Sequence, residues 1–329
     1  MIGFVSVIDI RRQAASNAPA HIKAQADYVA DGTADDVEIQ AAIDAVNASG
    51  VRGSVSLFGT FEASAQINAK SNADIIGNNS IINVTINGGG FALYFNNITN
   101  SVWEDLSVYR KGDIGALSLQ ALYITGSGTD NTAIIRRSKF VNEVTTTFVG
   151  EGKLSGIFIG QYLSPSPILE DVIGQGSQSG VPKTYLNDGI DVHVLFDVTT
   201  GTLGTPKFYR VTGIAGFGAL SSGIAVTEAN GAEFYDSVGI GGIGKDGWAI
   251  NDSSPTIKSS KGIAGTNNNF GILPSGFWLW AGGSPILIDS EGITSKSVPS
   301  YSLSITQASS PVITGFYGHP PQEGYQWYY

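Results

Sequence analysis

A pair of short strings recurs in the same order along most of this 329-residue chain. The first string is a small or acidic residue, then glycine, then a short and mostly apolar run. Its copies are SGIFIGQ (155–161), DGIDVHV (188–194), SGIAVTE (222–228), DGWAIND (246–252) and SGFWLWA (275–281), with SYSLSIT (300–306) as a copy without the glycine and FALYFNN and ALYITGS as earlier ones. The spacing varies between 24 residues (222 to 246) and 34 residues (188 to 222).

A second string follows most copies of the first. Its copies are SPSPILEDV, GTPKFYRVTGI, GAEFYDSVGI, SSPTIKSSKGI, GSPILIDSEGI and SSPVITGFYG. Irregular units of two or three short strands plus turns are typical of a β-solenoid, in which each coil buries its inward residues against the next. A β-sandwich is the alternative, but it does not need the same two strings to recur in order, and a propeller usually keeps a stricter period.

Residues 29–46 interrupt the β pattern with one segment that reads clearly as a helix. Its apolar residues form a single stripe at Ile39, Ala42, Ile43 and Val46. Asp35 is predicted as the N-cap, and Glu38 three residues later completes an acidic version of the capping box. A helix with one apolar face suits the open end of a solenoid, where strand edges and core would otherwise be exposed.

The string ADGTADDVEIQAAIDAV in this segment resembles the N-terminal signature of right-handed parallel β-helix proteins of the pectate-lyase-like superfamily. That group includes phage tailspikes and tail fibres, polysaccharide lyases and glycoside hydrolases. The resemblance implies an all-β, right-handed parallel β-helix with an N-terminal amphipathic capping helix, closest in character to the phage tailspike and tail-fibre β-helices. It implies contact with polysaccharide but no particular activity, because catalytic residues differ between branches of the group.

The predicted organisation has four parts. They are an N-terminal strand and linker that could serve as an assembly arm (1–25), a capping strand and helix (26–52), the β-helix coils (53–318) and an aromatic tail (319–329) that ends with Tyr325, Trp327, Tyr328 and Tyr329.

The charge and composition of the chain limit the classes of partner that it is expected to bind. The net charge of −10 and pI of about 4.7 disfavour nucleic acid, whose phosphates an acidic surface repels. The chain has no cysteine and no run long enough for a membrane span, and its N-terminus does not resemble a Sec signal. We therefore expect an extracellular or virion location, a polysaccharide or glycan surface as partner, no cofactor or metal, and a homo-oligomer, either a trimer or a filament.

The string NDGIDVHVLFD (187–197) carries the best candidate for chemistry. Strand alternation that turns Ile190, Val192 and Val194 inward places Asp191 and His193 outward, where a carboxylate beside an imidazole is suited to proton transfer. Asp188 is a third candidate. Aligning the coils on their glycines places Phe158 and Ala225 beside Asp191, and Gly160 and Thr227 beside His193. The alternative interpretation is a solvated polar strip on one face of the solenoid.

The string SGFWLWA places two indoles outward, at Trp278 and Trp280, if Phe277 and Leu279 point inward. Exposed aromatic rings suit sugar rings and subunit contacts equally, or another segment covers them. Phe158 belongs with this pair as a candidate for carbohydrate binding or an interface.

Three functions remain open. The first is a structural or receptor-binding β-helix of a virion or extracellular fibre that contacts surface polysaccharide. The second is a polysaccharide-degrading enzyme, a lyase or glycoside hydrolase, on the same fold. The third is a self-assembling extracellular filament subunit or adhesin. The sequence favours the first, since the Gly-His-Gly string of the polygalacturonase-like branches is missing.

Overall fold

The computed structural model is a parallel β-helix. It describes residues 9–112, 119–126, 132–143, 153–160, 165–178, 186–193, 195–197, 202–218, 221–242, 245–266, 273–295, 298–306 and 310–319. Two long sheets of parallel strands form its walls, and each coil from β3 onwards that the nine-stranded sheet includes contributes to both of them.

One wall is a nine-stranded sheet, to which the recurring first string contributes one strand per coil. Its strands are β5 (Ile67–Asn68), β7 (Gly90–Asn96), β9 (Leu119–Thr125), β12 (Lys153–Gly160), β15 (Leu186–His193), β20 (Ser222–Thr227), β23 (Asp246–Asn251), β26 (Ser275–Trp280) and β29 (Tyr301–Thr306). Neighbouring strands come from successive coils and pair in parallel.

The other wall is a twenty-stranded sheet. It starts with β1 (Asp9–Ala14), β2 (Tyr28–Val29), β3 (Gly53–Phe58), β4 (Thr60–Ala63), β6 (Ala73–Thr85) and β8 (Val102–Lys111). It continues with β10 (Ile134–Arg136), β11 (Lys139–Asn142), β13 (Ile168–Glu170), β14 (Ile173–Gln175), β18 (Lys207–Tyr209), β19 (Thr212–Ile214), β21 (Glu233–Tyr235), β22 (Val238–Ile240), β24 (Thr256–Lys258), β25 (Lys261–Ile263), β27 (Ile286–Ile288), β28 (Glu291–Ile293), β30 (Val312–Thr314) and β31 (Tyr317–Gly318). A separate antiparallel pair joins β16 (Phe196–Asp197) to β17 (Thr202–Leu203).

The second string thus forms two three-residue strands separated by a bend. The predicted solenoid is confirmed, and the sandwich alternative is wrong, because each copy pairs in parallel with the copy one coil away. Residues at equivalent positions stack inside the coil, as at Ile190, Ile224, Trp248 and Phe277, all of them fully buried. Burying each such side chain stabilises the fold by roughly 1.5–3 kcal/mol.

The glycine in each string lies where the two walls approach most closely. A Cβ placed on Gly223 in β20 would lie 2.2 Å from the amide nitrogen of Ile240, and one on Gly213 in β19 would lie 2.1 Å from the carbonyl oxygen of Gly223. At these glycines, in successive coils, the backbone of one wall packs directly against the backbone of the other wall. The recurrence of glycine therefore follows from the close approach of the two walls.

The bend between the two short strands of each second string is held by residues in the left-handed backbone region. This column consists of Arg137, Asp171, Arg210, Asp236, Ser259 and Asp289. The amide of each donates to a carbonyl of the next coil, as Asp171 does to Tyr209 at 2.9 Å. Arg210 also forms side-chain hydrogen bonds with Asp171 and Glu170. The bends therefore stay in register along the solenoid.

The predicted capping helix forms as α2 (Asp36–Ala48), with its stripe Ile39, Ala42, Ile43 and Val46 buried. The predicted capping box is wrong. Asp35 stands at the N-cap position, but its carboxylate accepts hydrogen bonds from the amides of Gly32 and Glu62 and not from the helix. The amide of Asp35, which Glu38 was expected to bind, donates to the carbonyl of Glu62.

The side chains at the start of α2 complete the edge of the first coil. Asp36 accepts hydrogen bonds from the amides of Ser64 and Ala65, and Gln40 both donates to and accepts from the backbone of Asn68. Without α2, these backbone groups of β5 and of the turn after β4 would need a preceding coil as their hydrogen-bonding partner. Asp35 and Asp36 therefore close a sheet edge, whereas Asp35 was predicted to cap the helix.

The coils also begin earlier than residue 53. Strand β1 pairs in parallel with β3, from Asp9 opposite Gly53 to Ala14 opposite Phe58, and the short helix α1 (Ala20–Lys23) follows. Residues 9–14 thus belong to the twenty-stranded wall rather than to a separate arm. Residues 1–8 and the aromatic residues of the predicted tail lie outside the described part of the chain.

Neither helix in the described ranges has the length and hydrophobicity needed to cross a membrane.

Candidate functional site on the outer face of the nine-stranded sheet

The register predicted for the candidate site is confirmed. Asp191 in β15 pairs with Phe158 on one side and Ala225 on the other, and His193 pairs with Gly160 and Thr227. Ile190 and Val192 are completely buried in the core. Asp191 and His193 consequently point away from the core on the outer face of the sheet.

A lysine joins this pair. Lys153, at the start of β12, places its Nζ 3.1 Å from Nδ1 of His193 and 3.8 Å from Oδ2 of Asp191. Aligning the repeated strings did not reveal Lys153, because it pairs in register with Leu186, five residues before Asp191. Lys153 reaches the site only through its long side chain. Asp191 is 3% exposed, so the alternative of a solvated polar strip is wrong at this position.

The contact between Lys153 and His193 sets the state of the imidazole. An ammonium group has only donors, so Lys153 donates to Nδ1 and the neutral ring carries its proton on Nε2. Burial lowers the pKa of His193 below its usual value; nearby Asp191 opposes this shift, nearby Lys153 adds to it, and Glu228 also opposes it. The net result is a neutral imidazole at neutral pH.

Asp188 occupies a different position from the other two candidates. It is 1% exposed, and its Oδ1 accepts a hydrogen bond from the amide of Ser222 at 2.7 Å. Asp246 makes the same bond to the amide of Ser275 in a later coil. Burial raises the pKa of Asp188 well above its usual value, with Asp191 adding to the shift, and burial raises that of Asp246 to about 7. The repetition of this bond points to a structural role in joining coils.

Phe158 lies in a stack of aromatic rings. Its centroid is 5.3 Å from that of Tyr123 and 6.1 Å from that of His193, and Lys153 Nζ lies 5.7 Å from its centroid. Only 4% of Phe158 is exposed. The expectation that Phe158 offers an accessible surface to carbohydrate is therefore wrong, since its neighbours cover the ring.

Trp278 and Trp280, the two outward tryptophans, differ in how much of each ring is accessible. Their rings are parallel, 5.5 Å apart with an interplanar angle of 8°. Lys245 Nζ lies 4.0 Å from the centroid of the Trp278 ring, whose Nε1 donates to Thr306. Trp278 thus has Lys245 over its ring and Trp280 as a parallel neighbour. Trp280 is 36% exposed and is the more accessible ring.

Small and uncharged residues lie between the two groups. Ala225 and Ala249 separate Asp191 from Trp278, and Thr227 and Asn251 separate His193 from Trp280, all in continuous register. Three steps between strands of about 4.8 Å give a span of about 14 Å. We call these eight residues the outer strip: Asp191, His193, Ala225, Thr227, Ala249, Asn251, Trp278 and Trp280.

Within the described residues, no three histidine, aspartate or glutamate side chains converge as the ligands of a metal ion would.

Comparisons with known proteins found similar solved structures but no related family. No family model matches it, and no curated protein matches it in sequence. Similar solved structures include the A-module of the Azotobacter vinelandii mannuronan C-5 epimerase AlgE4 (12% identical, 86% of this chain and 94% of that chain covered, TM-score 0.30). The Agl-KA catalytic domain is 12% identical, with 88% and 66% covered and a TM-score of 0.37. Bacteriophage CBA120 tailspike protein 3 is 10% identical, with 86% and 59% covered and a TM-score of 0.20. The fold assignment rests on the strand pairing described above.

Proposed function

We propose that this protein is a glycan-binding β-helix, a structural or receptor-binding component of a virion or extracellular fibre, and that the outer strip contacts the polysaccharide. The observation that carries this proposal is the exposed Trp280 at one end of a flat row of small neutral residues. Assembly into a trimer or filament remains part of the same proposal.

The outer strip has the physical character of a sugar-binding surface. The exposed ring of Trp280 offers a flat apolar face of the kind that packs against a sugar ring. Alanines at 225 and 249 keep the surface low, so an extended chain can lie across successive strands. The side chains of Thr227 and Asn251 supply hydrogen-bonding groups beside that path. The combination suits a ligand with hydroxyl groups and apolar ring faces.

Replacing Trp280 by alanine is expected to weaken glycan binding at least about tenfold, which corresponds to 1.4 kcal/mol. The loss follows from removing the accessible aromatic surface of the outer strip. Calorimetric titration with a panel of neutral and acidic polysaccharides would measure it. The matched control is Tyr317→Ala, because Tyr317 is 66% exposed but lies on the other wall.

Wild-type affinity in Tyr317→Ala together with a loss in Trp280→Ala is the expected pair of results. An unchanged affinity in Trp280→Ala, or no binding of any polysaccharide by the wild-type protein, would rule out the outer strip as the binding surface.

A second candidate function is polysaccharide degradation by a lyase or hydrolase mechanism. The contacts among Lys153, His193 and Asp191 favour it, because an ammonium group, a neutral imidazole and a carboxylate converge at one end of the outer strip. The half-buried His193 and Lys153 can exchange a proton with a bound sugar, whereas the covered carboxylate of Asp191 acts on them through its charge. A screen for new reducing ends or unsaturated products would test it. Unchanged activity in Asp191→Asn and His193→Ala would exclude this site.

The titration of His193 provides a test of the same cluster that needs no substrate. Lys153→Met removes a cation that lowers the pKa of His193, so the NMR titration midpoint of the imidazole is expected to move to higher pH than in the wild type. Any acid limb of kcat/KM that depends on the neutral imidazole moves upward with it. Lys139→Met, on the other wall, is the control and should leave the midpoint in place. A midpoint that does not move in Lys153→Met would show that the lysine does not act on His193.

A further inference from the structure

We infer that Trp280 forms a subsite for one uncharged sugar ring, and that the carboxylate of Asp252 on the neighbouring strand, with that of Glu228 one strand further away, disfavours uronic acids there. This inference rests on the proposed glycan-binding function and specifies the chemical class of the ligand.

The orientation of the Trp280 ring is fixed from one side. Its neighbour Trp278 lies parallel to it at 5.5 Å and is itself held between Trp280, the ammonium group of Lys245 and the hydroxyl of Thr306. Lys245 is only 2% exposed, so this support is built into the fold. The exposed part of Trp280 is therefore presented as a rigid surface, which lowers the entropic cost of binding a ring against it.

Uncharged hydrogen-bonding residues flank Trp280 in register. Asn251 pairs with it from β23, and Thr306 pairs with it from β29. Asn251 is half-buried, and Thr306 is exposed. The side-chain amide of Asn251 can both donate to and accept from sugar hydroxyls. The hydroxyl of Thr306 accepts from Trp278 and donates to the carbonyl of Leu279, so it offers a sugar only its remaining acceptor site. This arrangement matches a neutral ring better than a carboxylated one, which would seek a cation.

Two exposed carboxylates border the same row. Glu228 follows β20 and Asp252 follows β23, both in the left-handed backbone region that ends these strands. The amide of Glu228 donates to the carbonyl of Asn251, and that of Asp252 donates to the carbonyl of Trp280. The two acidic residues therefore lie on neighbouring strands along the edge of the outer strip, Asp252 one strand from Trp280 and Glu228 two strands from it. The carboxylate of Asp252 lies against Gly282, two residues beyond Trp280.

Cations on this face are badly placed to offset these carboxylates. The ammonium group of Lys245 is covered, packs over the Trp278 ring and lies 3.8 Å from Oδ2 of Asp246. The ammonium group of Lys153 lies at His193, and His193 is three strands, or about 14 Å, from Trp280. That distance exceeds the Debye length of about 8 Å at physiological ionic strength. Among the described residues, no cation therefore offsets the like charge that a sugar carboxylate at Trp280 would meet.

The experiment compares matched neutral and acidic ligands. Hexasaccharides of mannose and galactose, and the corresponding hexamers of mannuronate and galacturonate, would be titrated into the full chain by calorimetry. We expect at least one neutral hexamer to bind, and its uronate counterpart to bind at least about tenfold more weakly. Trp280→Ala should abolish the neutral binding.

The effect of the Glu228 and Asp252 carboxylates is then tested directly. The double variant Glu228→Gln/Asp252→Asn should keep the neutral affinity and bring the uronate affinity to within about twofold of it. In wild type, about 1 M salt shortens the Debye length to about 3 Å and should remove most of the discrimination. The control Asp236→Asn/Asp289→Asn changes two exposed carboxylates at the bends of the other wall and should keep the discrimination intact.

The outcomes separate this inference from the proposed function. Equal or tighter binding of the uronate hexamer, still abolished by Trp280→Ala, would overturn the inference and leave the glycan-binding function in place. Discrimination that persists in Glu228→Gln/Asp252→Asn would also overturn it. Binding of neither class of hexamer by the wild-type protein would overturn both.

Discussion

Replacing Gly223 by alanine is expected to destabilise the protein by about 3 kcal/mol or more, among the largest effects of any single substitution. A Cβ at this position would lie 2.2 Å from the amide nitrogen of Ile240 and 2.7 Å from the carbonyl oxygen of Gly213. Both neighbours are backbone atoms paired into the twenty-stranded wall, as are the residues of the adjacent coils. They cannot move aside as the end of a flexible side chain would.

The clash should also spread along the solenoid. Gly223 lies between Gly189 and Gly247 in the same column, and each of these has a comparably close backbone neighbour from the facing wall. Moving β20 outward to admit a methyl group would therefore disturb its pairing with β15 and β23. We expect the loss of stability to be accompanied by a larger exposed surface in the folded state.

The midpoint of urea unfolding, followed by tryptophan fluorescence, measures the effect. Gly88→Ala is the control, because Gly88 has a φ of +95° but nothing within 4 Å of an added Cβ. Gly88→Ala should lower the free energy of unfolding by about 1–2 kcal/mol, from backbone strain alone. A Gly223→Ala protein as stable as Gly88→Ala would show that the two walls separate easily and that the glycine columns have another origin.

These glycines show what the sequence could and could not predict about the fold. Their recurrence with a fixed partner string was enough to predict the coils and even the pairing of Asp191 with Phe158 and Ala225. The reason for the glycine was not visible, because the close approach joins residues such as Gly213 and Gly223 across two walls. Register within one sheet follows from repeated strings, whereas contact between sheets depends on the angle at which they meet.

The candidate site was predictable to a similar extent. Strand alternation placed Asp191 and His193 on the outer face, but burial of Asp191 and Phe158 depends on side chains that arrive from other strands. Lys153 and Lys245 have no motif of their own. Each reaches an aromatic or titratable neighbour through four methylene groups, and the sequence does not reveal the direction of so flexible a side chain.

Asp36→Ala is expected to destabilise the protein by about 3 kcal/mol. Asp36 is 8% exposed, and its Oδ1 accepts hydrogen bonds from the amides of Ser64 and Ala65 and from the hydroxyl of Ser64. Hydrogen bonds to a charged group contribute about 1.5–3 kcal/mol each, and water can recover part of that at an edge. The substitution therefore opens the first coil at the point where α2 replaces the missing neighbouring strand.

The comparison with two other variants separates edge closure from helix stability. Asp44→Ala removes an exposed carboxylate from the same helix and should change the free energy of unfolding by less than about 0.5 kcal/mol. Asp36→Asn keeps an acceptor oxygen and should lose only part of what Asp36→Ala loses. Hydrogen exchange would locate the effect, with faster exchange of the Ser64 and Ala65 amides expected in Asp36→Ala but not in Asp44→Ala. If instead exchange quickens equally throughout α2 in both variants, Asp36 acts on the helix and not on the edge of the sheet, and the closure of the solenoid by these side chains is refuted.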